Sequence, residues 1–243
     1  MILSLREIII ATQLYTQQAK CMSSQKKYRQ IFDVMYNNYG PQHWWPGDTP
    51  FEIMLGAVLT QNTSWTNVEK AIKALKTNGA LDPKIIATTK HEELAAWLTP
   101  VGYFNVKSTR LQSYCNWYLD SGGFEQLNTY DTIELRKALL SVNGVGPETA
   151  DDILLYAFTR PIFVIDAYTR RLFSRLGYIN GDEKYETLRA DFENKLSNQA
   201  DKIQLFNEYH GLIVHHAKYF CKTKPICDEC CLRNHCDFKT KTN

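Results

Sequence analysis

The stretch that decides the fold is Leu140-Ser141-Val142-Asn143-Gly144-Val145-Gly146-Pro147-Glu148-Thr149-Ala150. An apolar helix end runs into a Gly-x-Gly turn, and a proline follows at the first position of the next helix, where its missing N–H costs nothing. Glycines let the backbone N–H groups converge at that helix start, which makes a binding site for one phosphate over Gly144, Val145, Gly146 and Thr149. A bare helical hairpin that binds nothing fits the same letters, so the local pattern leaves both readings open.

Working outward, the neighbouring sequence is helical. Apolar residues recur at spacings of three and four in Ile31, Val34 and Met35, and again in Phe51, Met54, Leu55, Val58 and Leu59. Segments 67–75, 91–97, 108–118, 131–142, 147–158 and 167–176 continue the series. Trp45-Pro46-Gly47-Asp48, Asn78-Gly79 and Ser121-Gly122-Gly123 separate them with stop signals. No run alternates with period two for long enough to build a sheet, which predicts an all-α protein. Arg160-Pro161 breaks one helical pattern and the chain ends in a cysteine cluster without periodicity, which predicts two lobes, the second carrying a metal.

Composition sets the outer limits. The 243 residues are 44% hydrophobic and 22% charged, with 8 Pro and 12 Gly, which describes an ordinary globular chain large enough for two lobes. A net charge of +2 neither demands nor excludes nucleic acid. In the tail, Lys218, Lys222, Lys224, Arg233, Lys239 and Lys241 outnumber Asp228, Glu229 and Asp237, giving either a basic patch or a solvated face. Residues 1–18 are apolar but broken by Arg6 and Glu7, too short and too charged for a membrane span. The chain therefore reads as soluble, cytoplasmic and monomeric. Met22 is a candidate start, and an amphipathic leader helix is its rival.

Cys221, Cys227, Cys230 and Cys236 form C-x5-C-x2-C-x5-C in a hydrophilic segment. Four thiolates gathered locally hold a metal whose binding energy orders a tail too poor in apolar side chains to fold alone. Zinc sites usually carry two C-x2-C hooks and only one exists here, which favours [4Fe–4S] over zinc. Cys231 adjoins Cys230 and competes for its place, while Cys21 and Cys115 read as ordinary thiols.

Eighteen residues beyond Glu148 lies Asp166, in Phe163-Val164-Ile165-Asp166-Ala167. An acid between an apolar run and a helix is most often an N-cap, but at a cleft it could activate water or stabilise a developing sugar cation. The Gly-Val-Gly hairpin, the Val-Ile-Asp step and the four-cysteine tail, in this order, resemble the endonuclease III family of helix-hairpin-helix DNA glycosylases over residues 26–238. The first cysteine gap is one residue shorter than in that family. The resemblance implies a six-helix barrel lobe, an iron–sulfur lobe, a DNA-binding cleft between them, and catalysis by the aspartate that Asp166 matches. It divides the chain into an extension at 1–22, a cluster lobe of 23–48 with 161–243, and a barrel lobe at 49–160.

One departure matters more than the matches. Bifunctional members carry a lysine where this chain has Glu148, and a carboxylate cannot form an imine with C1′, so the resemblance implies hydrolysis alone. Glu148 then either faces the pocket or complements a helix start. Trp44, Trp45 and Pro46 offer flat faces for a flipped base, although a hydrophobic staple explains one indole as well. Asn62, with Gln61 beside it, matches the family's loop that fills the hole left by the extruded nucleotide; polar capping is the alternative. The Trp-Trp-Pro turn, Thr-Gln-Asn-Thr and Gly-Pro-Glu-Thr-Ala-Asp most resemble the 3-methyladenine branch, which implies damaged double-stranded DNA as partner. Two alternatives stay open: an endonuclease III-type pyrimidine glycosylase, and a non-catalytic DNA-binding iron–sulfur protein.

Overall fold

The computed structural model describes residues 25–238. The Met22 start, the 1–18 leader, Cys21, Lys239 and Lys241 lie outside them. Twelve helices and no strand occur among the described residues, as the all-α reading expects. The chain forms two compact units, Trp44–Val164 and, separately, the described residues up to His43 with those from Ile165 onward. The divisions thus fall after 43 and 164, where the resemblance implied 48 and 160, and the Trp-Trp-Pro turn goes with the hairpin. No helix among the described residues is long and apolar enough to cross a membrane.

In Trp44–Val164, α2 (Pro50–Leu59) starts on Thr49, whose Oγ1 accepts from the Glu52 N–H at 3.2 Å, with Pro50 in the first turn. Its Met54, Leu55, Val58 and Leu59 are buried. The helices α3 (Trp65–Thr77), α4 (Pro83–Thr88), α5 (His91–Trp97), α6 (Phe104–Asp120), α7 (Gly123–Asn128) and α8 (Thr132–Leu140) follow, then α9 (Pro147–Asp152). The spacing predicted one helix over 147–158. The backbone instead widens into a π turn at Ile153–Ala157, closed by Phe158 N–H donating to the Ile153 carbonyl at 3.2 Å. Every residue of that turn is buried and it packs on α2, so tertiary contact overrides the regular repeat there. The hairpin partners α8 and α9 are pinned by Arg136 and the fully buried Asp151, which meet in two hydrogen bonds of 2.6 and 3.2 Å.

The other unit contains α1 (25–39), α10 (Ala167–Arg175), α11 (Tyr185–Lys195) and α12 (Lys202–Tyr219). Its core is aromatic: Tyr28, Phe173, Phe192 and Tyr209 pack ring against ring, and Tyr209 donates its hydroxyl to the Tyr28 carbonyl at 2.7 Å. The helix α10 packs on α12, which brings Asp166, just ahead of α10, against the middle of α12.

Candidate functional site

The hairpin turn is built as its glycines require. Gly144 has φ +90°, and a Cβ on it would stand 2.5 Å from Cγ and 2.7 Å from Cδ of Arg110. A side chain is therefore excluded twice, by conformation and by the arginine stem lying across the turn. Gly146 is the N-cap of α9 and brings no side-chain cap to its first N–H groups. Gln61 ties the preceding loop to this turn: its Nε2 donates to the Gly144 carbonyl at 2.9 Å and to Thr149 Oγ1 at 3.1 Å, while Arg110 donates to its Oε1. Asn62 stands beside it with φ +54° and an exposed side chain. Of the two amides, Gln61 is held within the protein and Asn62 faces outward.

Gln61, Asn62, Arg110, Gly144, Val145, Gly146, Glu148 and Thr149 line one open pocket of about 490 Å³, with Glu148 exposed at its edge. The sequence had offered all of these but Arg110. The only hint of it was its place one helical turn beyond Lys107 on α6, a pair of cations sharing a face. Tyr103, also not singled out, precedes α6 with φ +46° and a side chain 74% exposed, a projecting aromatic in a conformation unusual for its type.

Trp44, Trp45 and Trp65 form one cluster, with ring centroids 4.8 Å apart for Trp45 and Trp65 and 5.7 Å for Trp44 and Trp65. Trp45 also lies against Tyr156, ring centroids 5.1 Å apart and planes tilted by 39°, and lays its Nε1 over Gly56 of α2, where a Cβ would come within 3.1 Å. Trp45 thus packs against Trp65, Tyr156 and Gly56 of α2 and not as a staple at the start of that helix, and both it and Trp44 are half-buried. The Nε1 atoms of all three indoles are buried without an acceptor, an arrangement that costs free energy until a partner is supplied.

In the other unit, Asp166 caps α10: its Oδ1 accepts from the Thr169 N–H at 2.6 Å and Thr169 Oγ1 at 2.7 Å. Its Oδ2 lies 3.6 Å from Nε2 of His210, a residue of α12 that is 3% exposed. Burial pushes the Asp166 carboxyl up, but His210 and the Thr169 hydrogen bonds outweigh it and hold the group below its ordinary value. The acid is therefore both an N-cap and an ionised, largely buried carboxylate. Sequence reasoning missed His210, whose setting in Tyr209-His210-Gly211-Leu212 reads as an apolar helix interior. It also missed Glu208, whose two carboxylate oxygens accept from the N–H groups of Gln42 and His43 at 2.7 and 3.0 Å and hold the chain just ahead of Trp44.

The tail gathers Cys221, Cys227, Cys230 and Cys236 around one small cavity. Cys231 is turned to Tyr39 instead, with Sγ and Oη 3.1 Å apart. Arg175 donates to Cys221 Sγ at 3.2 Å and to the carbonyls of Lys222 and Thr223, and Arg171 donates to the Cys221 carbonyl, so α10 carries the tail. Among the described residues, no three of His, Cys, Asp or Glu converge closely enough to share a single metal ion. Cys115 is buried elsewhere, and burial raises its thiol to about 12, consistent with an inert side chain.

The sequence matches the model of the HhH-GPD superfamily of base excision DNA repair proteins over residues 55–198. A protein of Methanocaldococcus jannaschii provisionally named a DNA repair glycosylase is 44% identical over 209 residues, 85% of this chain and 94% of its own length. The H. pylori 3-methyladenine DNA glycosylase MagIII, solved with 1,N6-ethenoadenine, superposes with a TM-score of 0.67 at 31% identity, covering 82% of this chain and 97% of that one. A non-covalent endonuclease III–DNA complex gives a TM-score of 0.75 at 24% identity, covering 89% of this chain and 97% of the other, a likeness of fold.

Proposed function

Because this chain belongs to the HhH-GPD superfamily and is a DNA glycosylase, hydrolysing N-glycosyl bonds in base excision repair, we propose that it acts by hydrolysis alone and releases a flipped alkylated purine, such as 3-methyladenine, from double-stranded DNA. Membership sets aside the reading as a purely DNA-binding protein. The observation that carries the proposal is the make-up of the hairpin pocket: its lining holds Glu148 and Arg110 but no lysine. A carboxylate cannot form an imine, and a guanidinium stays protonated, so neither supplies the amine that attack on C1′ with strand cleavage needs.

The remaining residues suit that chemistry. An alkylated purine is cationic and already a good leaving group, so no strong general acid is required. Asp166, kept ionised, stabilises the oxocarbenium-like sugar and orients the attacking water. Trp44 gives the extruded base an aromatic face, where cation–π attraction contributes roughly 0.5–2 kcal/mol. The Gly144–Gly146 turn grips a phosphate, and Asn62 and Tyr103 project to fill the gap in the stack. Similarity to a 3-methyladenine DNA glycosylase at 31% identity supports the choice of lesion.

The four cysteines around one cavity fit [4Fe–4S]. In a cluster each thiolate binds its own iron, and the single C-x2-C hook, Cys227 to Cys230, favours that arrangement over the two hooks usual for zinc. The group, when bound, supplies the energy that orders the tail. Arg171 and Arg175 hold the tail's carbonyls in place.

The test is base release from duplexes carrying 3-methyladenine, 7-methylguanine, uracil or oxidised thymine, with borohydride present in a parallel set. The methylated purines are released and no covalent adduct forms. Release of oxidised thymine alone, or a borohydride-trapped enzyme–DNA adduct, points instead to the endonuclease III type and overturns the proposal.

A further inference from the structure

Lys107 is a buried cation on α6, 1% exposed, whose Nζ donates to two main-chain carbonyls, that of Leu59 at 3.0 Å and that of Val101 at 2.8 Å. Burial, with the like charge of Arg110 one turn along, lowers its pKa to about 8. An ammonium is an expensive way to fill this space, since an unbranched apolar side chain would pack there without giving up hydration. What it supplies is reach to two places at once. Leu59 ends α2, so its carbonyl belongs to the set left without a partner inside the helix, and Thr60-Gln61-Asn62 follows directly. Val101 ends a short 3-10 turn, and Gly102-Tyr103 follows.

Both loops that leave these carbonyls pass through left-handed backbone: Asn62 has φ +54°, which asparagine tolerates, and Tyr103 has φ +46°, which tyrosine seldom adopts. Each carries an exposed side chain at its tip. Left-handed backbone at a tyrosine persists only where the surroundings fix the chain on either side. The common anchor is the Lys107 ammonium, and Gln61 fastens the first loop further to the hairpin.

We infer that Lys107 is a positioning residue which ties the Asn62 loop and the Tyr103 loop into one rigid two-pronged wedge, so that the two side chains enter a damaged duplex as a unit. The inference rests on reading these loops as inserting into DNA, as proposed above, but not on the choice of lesion.

The test uses binding and is independent of the lesion. Affinity is measured for a duplex holding a tetrahydrofuran abasic analogue and for the same duplex undamaged, with the full chain carrying Asn62→Ala, Tyr103→Ala, both, and Lys107→Met in each background. The wedge enters the abasic gap alone, whereas phosphate contacts serve both duplexes. Lys107→Met lowers the preference for the abasic duplex about tenfold and leaves affinity for the undamaged duplex within about threefold; in the Asn62→Ala/Tyr103→Ala background it lowers that preference no further. Equal loss on both duplexes, or a full additional loss in the double-variant background, overturns the inference. Should Lys107→Met fail to fold, the two surface substitutions decide alone: a rigid unit makes their effects on preference non-additive, and simple additivity overturns it. If neither surface substitution alters the preference, the insertion reading itself fails and takes this inference with it.

Discussion

Asp166→Asn is expected to reduce base release from methylated duplex by about two to four orders of magnitude while leaving affinity for abasic duplex nearly unchanged and lowering the melting temperature only by what the ionised carboxylate contributes. The substitution is informative because asparagine caps a helix about as well as aspartate, so Oδ1 can still accept from the Thr169 N–H and hydroxyl. What disappears is the negative charge on the oxygen nearest His210. If Asp166 were only a cap, rate and stability would both survive; a variant releasing base at the wild-type rate removes Asp166 from the mechanism.

His210 gives the same carboxylate a pH signature. Burial alone would raise the Asp166 pKa, and His210 is the largest influence acting against it. Release requires the ionised form, so in the wild type the acid limb of the rate profile lies below the ordinary carboxylate range. Replacing His210 by alanine leaves burial opposed only by Thr169, the carboxyl titrates at a higher pH, and the rate begins to fall at a higher pH. The linkage to stability has the same sign. A carboxyl with a depressed folded-state pKa contributes stability above its unfolded value and loses it as pH falls through the folded one. A profile for His210→Ala that matches the wild type on its acid side would show that the imidazole does not hold this charge.

The hairpin, the helix starts and the cysteine tail could be read from the sequence because each is written in a few consecutive residues. Pro147 after a Gly-x-Gly turn marks α9, and Asp166 ahead of Ala167 marks α10. What could not be read is what distant segments bring together. Arg110 reaches Gln61 across 49 residues of chain, and Glu208 reaches Gln42 across 166. Neither pairing leaves a local trace, because an arginine or glutamate on a helix reads as a solvated face. Lys107 is harder still, since its acceptors are main-chain carbonyls that any residue carries. The six-residue helices α4 and α7 are too short to show a period, although the Asp82 cap and Pro83 mark the start of the first. Orientation is what the sequence could not supply for two adjacent pairs, Cys230 with Cys231 and Gln61 with Asn62: Cys231 faces Tyr39 and Gln61 faces the hairpin, because the backbone aims neighbouring side chains differently.

The largest stability effect is expected at a residue with no part in the chemistry. Asp151 is fully buried on α9 and pairs with Arg136 of α8, so an ion pair links the two helices on either side of the Gly-x-Gly turn. Asp151→Ala takes from the guanidinium, itself only 14% exposed, a carboxylate that it meets at 2.6 Å. Breaking one partner of such a pair costs about 3–5 kcal/mol, most of it for the stranded charge. In a chain of this size that lowers the melting temperature by on the order of 10 °C. The damage falls on function as well, because the angle between α8 and α9 sets where the turn's N–H groups point, and affinity for undamaged and abasic duplex should drop together. The double variant Arg136→Met/Asp151→Leu separates the two causes. With both charges of this pair removed, stability recovers relative to Asp151→Ala, since apolar replacements of similar volume spare both desolvation costs. If Asp151→Ala melts within a degree or two of the wild type, the pair contributes little, and burial of Leu135, Leu139 and Ala150 carries more of the hairpin's stability.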